Sequence, residues 1–467
     1  MTTMIESPLA RLTDEQIEEI GREFDAIHDE IYEDLGDRDR RYIVSMIELH
    51  RRLAVLGRVL LLGASLRPAW IGGVSALSAA KILENMEIGH NVLHGQWDWM
   101  NDPYIHSTTW DWDTASTAEA WKHSHNYVHH TYTNILGKDK DLGYEIMRID
   151  PHQKWHPVYL LQPAYNLLLM ALFEWGVALH DLDFEAIRRG EKKPAQVRKE
   201  LRGILGKARA QIVKDYVAWP LISAAAATAA TAGAAALRES RQGSRRRRAL
   251  AALPRRRRTS RGDRALGVAR TALPGGRRTF RAAVWANVTS NIARNLWAHS
   301  IIFCGHFPDQ TYTFTQEEVE NETRGGWYVR QLLGAANIEG SPLFHVASGN
   351  LGYQVEHHLF PDMPSTRYAE IAPRVKAICA KYDLPYNSGP FARQLFMVHR
   401  TIARLAFPGG KPRPKPGPHR PEDPEVVELL RDLEGRFRDR DPGDSGPDGS
   451  GPEQRDAGVK FDMPSRR

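Results

Sequence analysis

The chain has 467 residues, a formal net charge of +6, 42% hydrophobic residues and a mean hydropathy of −0.47, averages that describe a soluble protein of one large or two or three small domains. The averages mislead, because the apolar residues gather in a few runs that Arg-rich and Pro/Gly-rich stretches dilute. Two cysteines, Cys304 and Cys379, exclude a disulfide framework and fit a reducing compartment, and the opening MTTMIESPLARLTDEQIEEI lacks the basic-then-apolar order of a cleaved signal, so membrane insertion is expected to rest on internal segments.

Residues 1–40 read as an acidic cytosolic segment, with a surface helix over 13–35 opened by Thr13 and, three residues on, Gln16, the pairing of a capping box. Residues 43–88 are largely apolar, broken at Arg67-Pro68, and predict a helical hairpin whose second arm ends in Glu84, Glu87, His90 and His94. The Trp-rich stretch 95–113 is expected to supply an interfacial aromatic belt. Apolar runs at 158–179 and 212–237 are each near the ~20 residues that cross a hydrocarbon core. Four crossings place all the histidine motifs on one side, together with residues 238–281, which hold sixteen Arg and no Lys, as the positive-inside rule prefers for a cytosolic loop.

That Arg-rich stretch has no interleaved aromatics and reads as a solvated or lipid-facing insert without fixed structure, not as a nucleic-acid site. Residues 283–305 are too polar in the middle for an easy span and predict a helix at the cytoplasmic surface. The Pro/Gly/charge-rich residues 408–467 cannot bury a core and are expected to be disordered. The expected architecture is all-α: a membrane domain over 41–407 with about four transmembrane helices, a cytosolic histidine-rich cap and both termini cytosolic.

The chemistry lies in eight histidines: His90-x3-His94, His125-x3-His129-His130, His306, and His357-His358 behind Gln354. Neutral imidazole suits Zn, Cu, Fe and Ni, and one ion takes about four to six ligands, so eight point to two ions. Residues four apart lie about 40° apart around an α-helix, so each H-x3-H pair can grip metal from one face; Asn295, His299 and His306 share a face by the same arithmetic. Ligating imidazoles donate their second N–H to an acceptor, which makes Glu87, Asp139, Asp141 and Glu356 candidate partners.

The boxes and their surroundings, HSHNYVHHTYTN from His123, IIFCGHFPD from Ile301 and GNLGYQVEHHLFPDMPSTRY from Gly349, resemble those of the integral-membrane fatty-acid desaturases, in particular bacterial acyl-CoA and acyl-lipid desaturases. The resemblance runs over roughly residues 40–400 outside the Arg-rich stretch. It implies two iron ions with O2 as co-substrate, zinc having no redox chemistry, and a long-chain fatty acyl-CoA or acyl-lipid substrate desaturated at the delta-9 position. The eight histidines are then the ligands. Gln354 stands where many relatives have His, and His123 is an alternative ligand or a neighbour. The Asn295-x3-His299 pattern resembles a ligand pair of animal acyl-CoA desaturases, whereas the CGHF context of His306 resembles the bacterial branch; His306 is therefore the choice and His299 the reserve. With no HPGG heme signature and no GxGxxG in the chain, electrons are expected from a separate ferredoxin-like carrier and an NAD(P)H reductase. The alternatives are a hydroxylase, ketolase or epoxygenase on the same scaffold and, further off, a histidine-rich metal-binding membrane protein.

Overall fold

The computed structural model describes residues 7–249, 261–410, 413–420, 428–429 and 431, without the side chains of 239–240, 242–249 and 261–271. Helices build nearly all of it. Helix α1 (Asp14–Glu33) starts on the capping box: the Gln16 N–H donates to Thr13 Oγ1 at 3.3 Å and the Thr13 N–H to Gln16 Oε1 at 3.0 Å. Its Ile20, Phe24, Ile27 and Ile31 are buried in one apolar cluster with Tyr328 and Phe360, so residues 7–40 are part of the cap rather than a separate acidic segment. The acidic residues dominated the composition; the periodic apolar face decides the packing.

Helix Arg324–Gly334 crosses α1 closely, and a Cβ on Gly325 would lie 1.9 Å from the Ile17 carbonyl oxygen. Gly325→Ala is therefore expected to force the two helices apart and cost about 1–3 kcal/mol. Gly206, with nothing within 4 Å of its added Cβ, should accept Ala at no cost. Thermal unfolding of the two variants checks the contrast.

Helices α2 (Asp37–Leu61) and α3 (Arg67–Ile82) form the hairpin expected around Arg67-Pro68. The run at 158–179 is not one continuous helix. A 3-10 turn, Pro157–Leu161, leads into helices Gln162–Ala171 and Phe173–His180, which meet at a kink at Leu172 (φ −116°, ψ 28°). The longest straight piece has 10 residues, half of the ~20 a crossing needs. Its Leu160, Leu161, Leu167, Leu168 and Leu172 are exposed. Helix α4 (Pro194–Ile212), a π-helical turn and α5 (Trp219–Ala249) follow in one line, and Pro194–Arg238 is the single described helix long and apolar enough, by length and composition, to cross a membrane.

The largest departure from expectation is α6 (Arg261–His306), 46 residues long, which packs against α5 and α3 and carries the polar stretch 283–305 within it. That stretch is not a surface helix, because its polar side chains find interior partners. Arg58 donates to Asn287 at 2.7 Å, Asn291 donates to the Tyr216 hydroxyl at 2.8 Å, and Arg294 pairs with Glu174. The Arg-rich stretch is helical where it is described, over 238–249 and 261–281, since Arg, Ala and Leu are strong helix formers. It also lies far from the histidines: at 1.5 Å per residue, residue 281 is ~37 Å from His306 along α6. The positive-inside argument therefore does not apply to the histidine side of the molecule.

Two further expectations change. Trp97 and Trp112 are buried, Trp97 among Ile43, Ile47 and Val92 and Trp112 against Trp121, so they fill the interior rather than form a belt. Residues 408–410 and 413–420 of the tail fold back on the body: Arg148 donates to the carbonyls of Phe407 and Gly409, and the His419 N–H donates to Leu384 O at 2.8 Å. Most of the tail beyond 420 lies outside the described residues. Strands Asn337–Glu339 and Ser388–Pro390 pair in parallel, Asn337 opposite Ser388, next to the last histidine motif.

Candidate metal centre

His90 closes a π-helical segment, Leu83–His90, that extends α3, with His94 a turn further on. His125 and His129 sit on a second π-helical segment, Lys122–His129. The sequence predicted α-helix here; i→i+5 bonding widens the turn at both places yet keeps each pair on one face, with ring centroids 4.6 Å apart for His90/His94 and 5.1 Å for His125/His129. His306 ends α6, and His357 and His358 lie on the short helix Gln354–Leu359.

The fold gathers all eight rings into one buried cluster. The donor atoms of His90, His94, His125 and His357 fall within 4.8 Å of one another, as do those of His129, His306 and His358. His130 stands between these groups, stacked on His358 at 4.5 Å and edge-on to His94 at 4.8 Å. The adjacent pair His357-His358 divides itself, because neighbours on a helix point about 100° apart: His357 Nε2 is 3.4 Å from His90 Nε2, and His358 Nε2 is 3.3 Å from His306 Nε2.

Outer partners aim the rings. Asp141 Oδ2 lies 3.2 Å from His125 Nδ1, Asp139 Oδ1 3.0 Å from His129 Nδ1, the Tyr368 hydroxyl 3.1 Å from His357 Nδ1, and Gln331 Oε1 2.9 Å from His358 Nδ1. With Nδ1 so engaged, Nε2 is the free coordinating nitrogen. Both ring nitrogens of His94 and His130, and Nε2 of His125 and His129, are buried without a hydrogen-bond partner. Each unmet buried polar atom costs about 1–3 kcal/mol, so this concentration of them fits metal ligation and nothing in the protein substitutes for it.

Gln354 joins the second group, its Nε2 3.0 Å from His306 Nε2 and its Oε1 unpartnered. Glycine at 305 permits this approach, since a Cβ there would be 2.7 Å from Gln354 Cγ. Other candidates fall elsewhere. His299 bonds Asn166 Oδ1 at 3.0 Å and stacks on Phe303, Asn295 donates to Ala171 O, and His123 is exposed against Tyr127. Glu87 accepts from Asn350 and Ser365, and Glu356 from Asn337 and Tyr386; neither has a described hydrogen bond to a histidine, because local amides and hydroxyls satisfy them. Three partners escaped the sequence reading. Tyr368 closes a quoted motif and was within reach of it, whereas Gln331 and His180, whose Nε2 is 3.0 Å from Asp141 Oδ1, carry no sequence signal.

Electrostatics sets His129 apart from its neighbours. Burial and neighbouring imidazoles hold His94, His130, His357 and His358 well below the usual histidine range. Burial also disfavours charge on His129, but Asp139 and Asp141 outweigh it and raise its pKa. A group with a raised pKa takes its proton first as pH falls, so His129 is the first point of competition with metal. Acidification from about pH 8 to about pH 5 in the presence of a chelator should release metal in two steps, the earlier from the His129/His306/His358 group. Metal content against pH checks this, and His358→Ala protein should lack the first step.

Two adjoining, buried, all-histidine groups suit a polyhistidine metal centre. Comparison then supplies the family. The fatty acid desaturase family model matches residues 68–238 and 218–390. An NADPH-dependent stearoyl-CoA 9-desaturase of Mycobacterium tuberculosis (strain H37Rv) is 42% identical over 399 residues, 85% of this chain and 82% of that protein. Fatty acid desaturase 3 of Homo sapiens is 39% identical over 88 residues, 19% of this chain and 20% of that protein. No solved structure matches the chain. The chain belongs to the fatty acid desaturase family.

Proposed function

We propose that the protein introduces a cis double bond into the acyl chain of a long-chain fatty acyl-CoA, at the delta-9 position of stearoyl-CoA in the first instance. The observation that carries this reading is a narrow slot that ends on the first histidine group: Met86, Trp112, Trp121, Phe173, Val177 and Ile302 form its apolar side next to His90, and Asn85, Thr114, Ser116, Glu174 and Asn295 its polar side. A methylene chain lying along the apolar side meets the Trp and Phe rings, which exclude water from the carbons next to His90.

Two iron ions bound there, with O2 and two external electrons, supply the oxidant that takes two hydrogens from an unactivated alkyl chain as O2 becomes water. His90, His94, His125 and His357 would hold one ion and His129, His306 and His358 the other, with Gln354 available at the edge of the second group and His130 at the edge of either. Asp139, Asp141, Tyr368 and Gln331 keep the rings aimed. The electrons come from NADPH through a separate reductase and a ferredoxin-like carrier; the relative's name supplies NADPH, and the carrier is the step this chain leaves to a partner.

We further assign the membrane arm to four crossings, α2, α3, Pro194–Arg238 and α6, with the kinked 158–179 segment lying along the membrane surface. Exposed Val55, Leu56, Val59, Leu221, Ile222 and Trp285 on these helices support lipid contact. The histidine end then faces the cytosol, where CoA thioesters and NADPH are found.

The test is turnover of stearoyl-CoA by membranes containing the full chain, with O2, NADPH, carrier and reductase. A product lighter by two hydrogens supports desaturation; a product heavier by oxygen makes the protein a hydroxylase or epoxygenase. Val177→Trp, which fills the slot, should lower kcat/KM for stearoyl-CoA by at least about tenfold and leave metal content unchanged.

A further inference from the structure

A polar pocket opens behind His306, between the turn that follows α6 and the first part of the C-terminal tail. His306 turns Nε2 toward Gln354 and His358, which leaves Nδ1 as its N–H donor, and that nitrogen is buried without a partner. Thr401 lines the same pocket, is 3% exposed, and has a hydroxyl that is likewise buried and unpartnered. His152, held by Asp150 at 2.7 Å through Nδ1, brings a third unpartnered polar atom, Nε2.

The pocket is also cationic: Arg404, Arg413 and Lys415 line it against Asp150 and Asp309. The two carboxylates are already engaged. Asp150 accepts from His152 and Thr313, and Asp309 pairs with Arg400 at 2.5 Å and Arg413 at 3.3 Å. The Lys415 ammonium donates to the backbone carbonyls of Asp309 and Thr311, and burial pushes its pKa down to about 8, more than those two carboxylates restore. A half-buried cation on carbonyls, next to two or three unmet hydrogen-bond donors, is complementary to an anion with several acceptor oxygens.

We propose that this pocket binds a phosphate-type oxyanion that accepts from the Thr401 hydroxyl and the His306 Nδ1–H and is balanced by Lys415 and Arg413. The bound oxyanion gives His306 the outer acceptor that Asp139 gives His129 and Gln331 gives His358. Two sources share this chemistry, free inorganic phosphate and the phosphate groups of coenzyme A. The pocket borders the second histidine group only through His306 Nδ1, and its oxyanion stands whether or not the acyl substrate has been identified correctly.

The experiment is calorimetric titration of inorganic phosphate into the full-length, metal-loaded protein in detergent. Saturable binding of one phosphate per chain is expected. Thr401→Val and Lys415→Met should each weaken it by about tenfold or more, the loss of a charge-assisted hydrogen bond, with metal content unchanged. Displacement of phosphate by free coenzyme A identifies the nucleotide phosphates as the source; no displacement identifies free phosphate, and the site stands in either case. Absence of saturable binding at millimolar phosphate in fully metallated protein overturns the proposal, as does equal binding by the parent and both variants, which would mark an adventitious ion only. If Thr401→Val fails to fold, Lys415→Met, at the end of a surface tail, still decides the question.

Discussion

His358→Ala removes about one of two metal ions and lowers turnover by at least about 100-fold, with helical content and membrane insertion unchanged. The magnitude has a floor, because loss of a mere outer partner of a metal ligand already costs about 10–100-fold. His358 lies 3.3 Å from His306 across the second group and is held by Gln331 and by stacking on His130, so no other side chain can take its place. It lies on a six-residue helix in the buried cap that meets the end of α6 and is itself no part of a long helix. Metal analysis and turnover on the same preparation test the result. Two metal ions and full activity in the variant would remove His358 from the centre.

Asp139→Asn should be the most damaging change at a residue that does not itself face the metal. Asp139 is 3.0 and 3.1 Å from His129 Nδ1 through its two oxygens, and it also accepts from the backbone N–H groups of Asn134 and Asp141. One carboxylate thus sets the ring of His129, closes the loop after the histidine pair and positions Asp141, which aims His125. An amide can replace one acceptor but not all of them, and it removes the charge that raises the pKa of His129. Metal affinity should fall by about 10–100-fold. The variant should also delay the acid release of the second group relative to its own starting affinity, which separates the charge effect from simple unfolding. Unaltered metal binding would show that His129 is oriented by its helix alone.

The histidine cluster was legible because spacing encodes it: H-x3-H pairs and H-H doublets are local patterns, and any helical turn, α or π, keeps such pairs near one another. The capping box at Thr13 was legible for the same reason. What the sequence hid was set by contacts across long separations. Residues 283–305 look unfit for a helix core until Arg58, Glu174 and Tyr216, each more than sixty residues away, supply their partners. The run 158–179 has the length and hydropathy of a span, and only the kink at Leu172 shows it to be two short pieces. Gln331 and His180 reach the centre from positions that no spacing rule connects to it.

The position of the Arg-rich stretch has a genetic consequence. Its described parts, 238–249 and 261–281, end α5 and open α6, and residue 281 is ~37 Å along α6 from His306. Codons there can be rewritten, even in a shifted reading frame, without disturbing a metal contact, provided the frame is restored before the segment that carries Arg294 and His306. A chain lacking residues 240–280 should therefore keep its metal, since residue 281 already lies ~37 Å from His306 along α6.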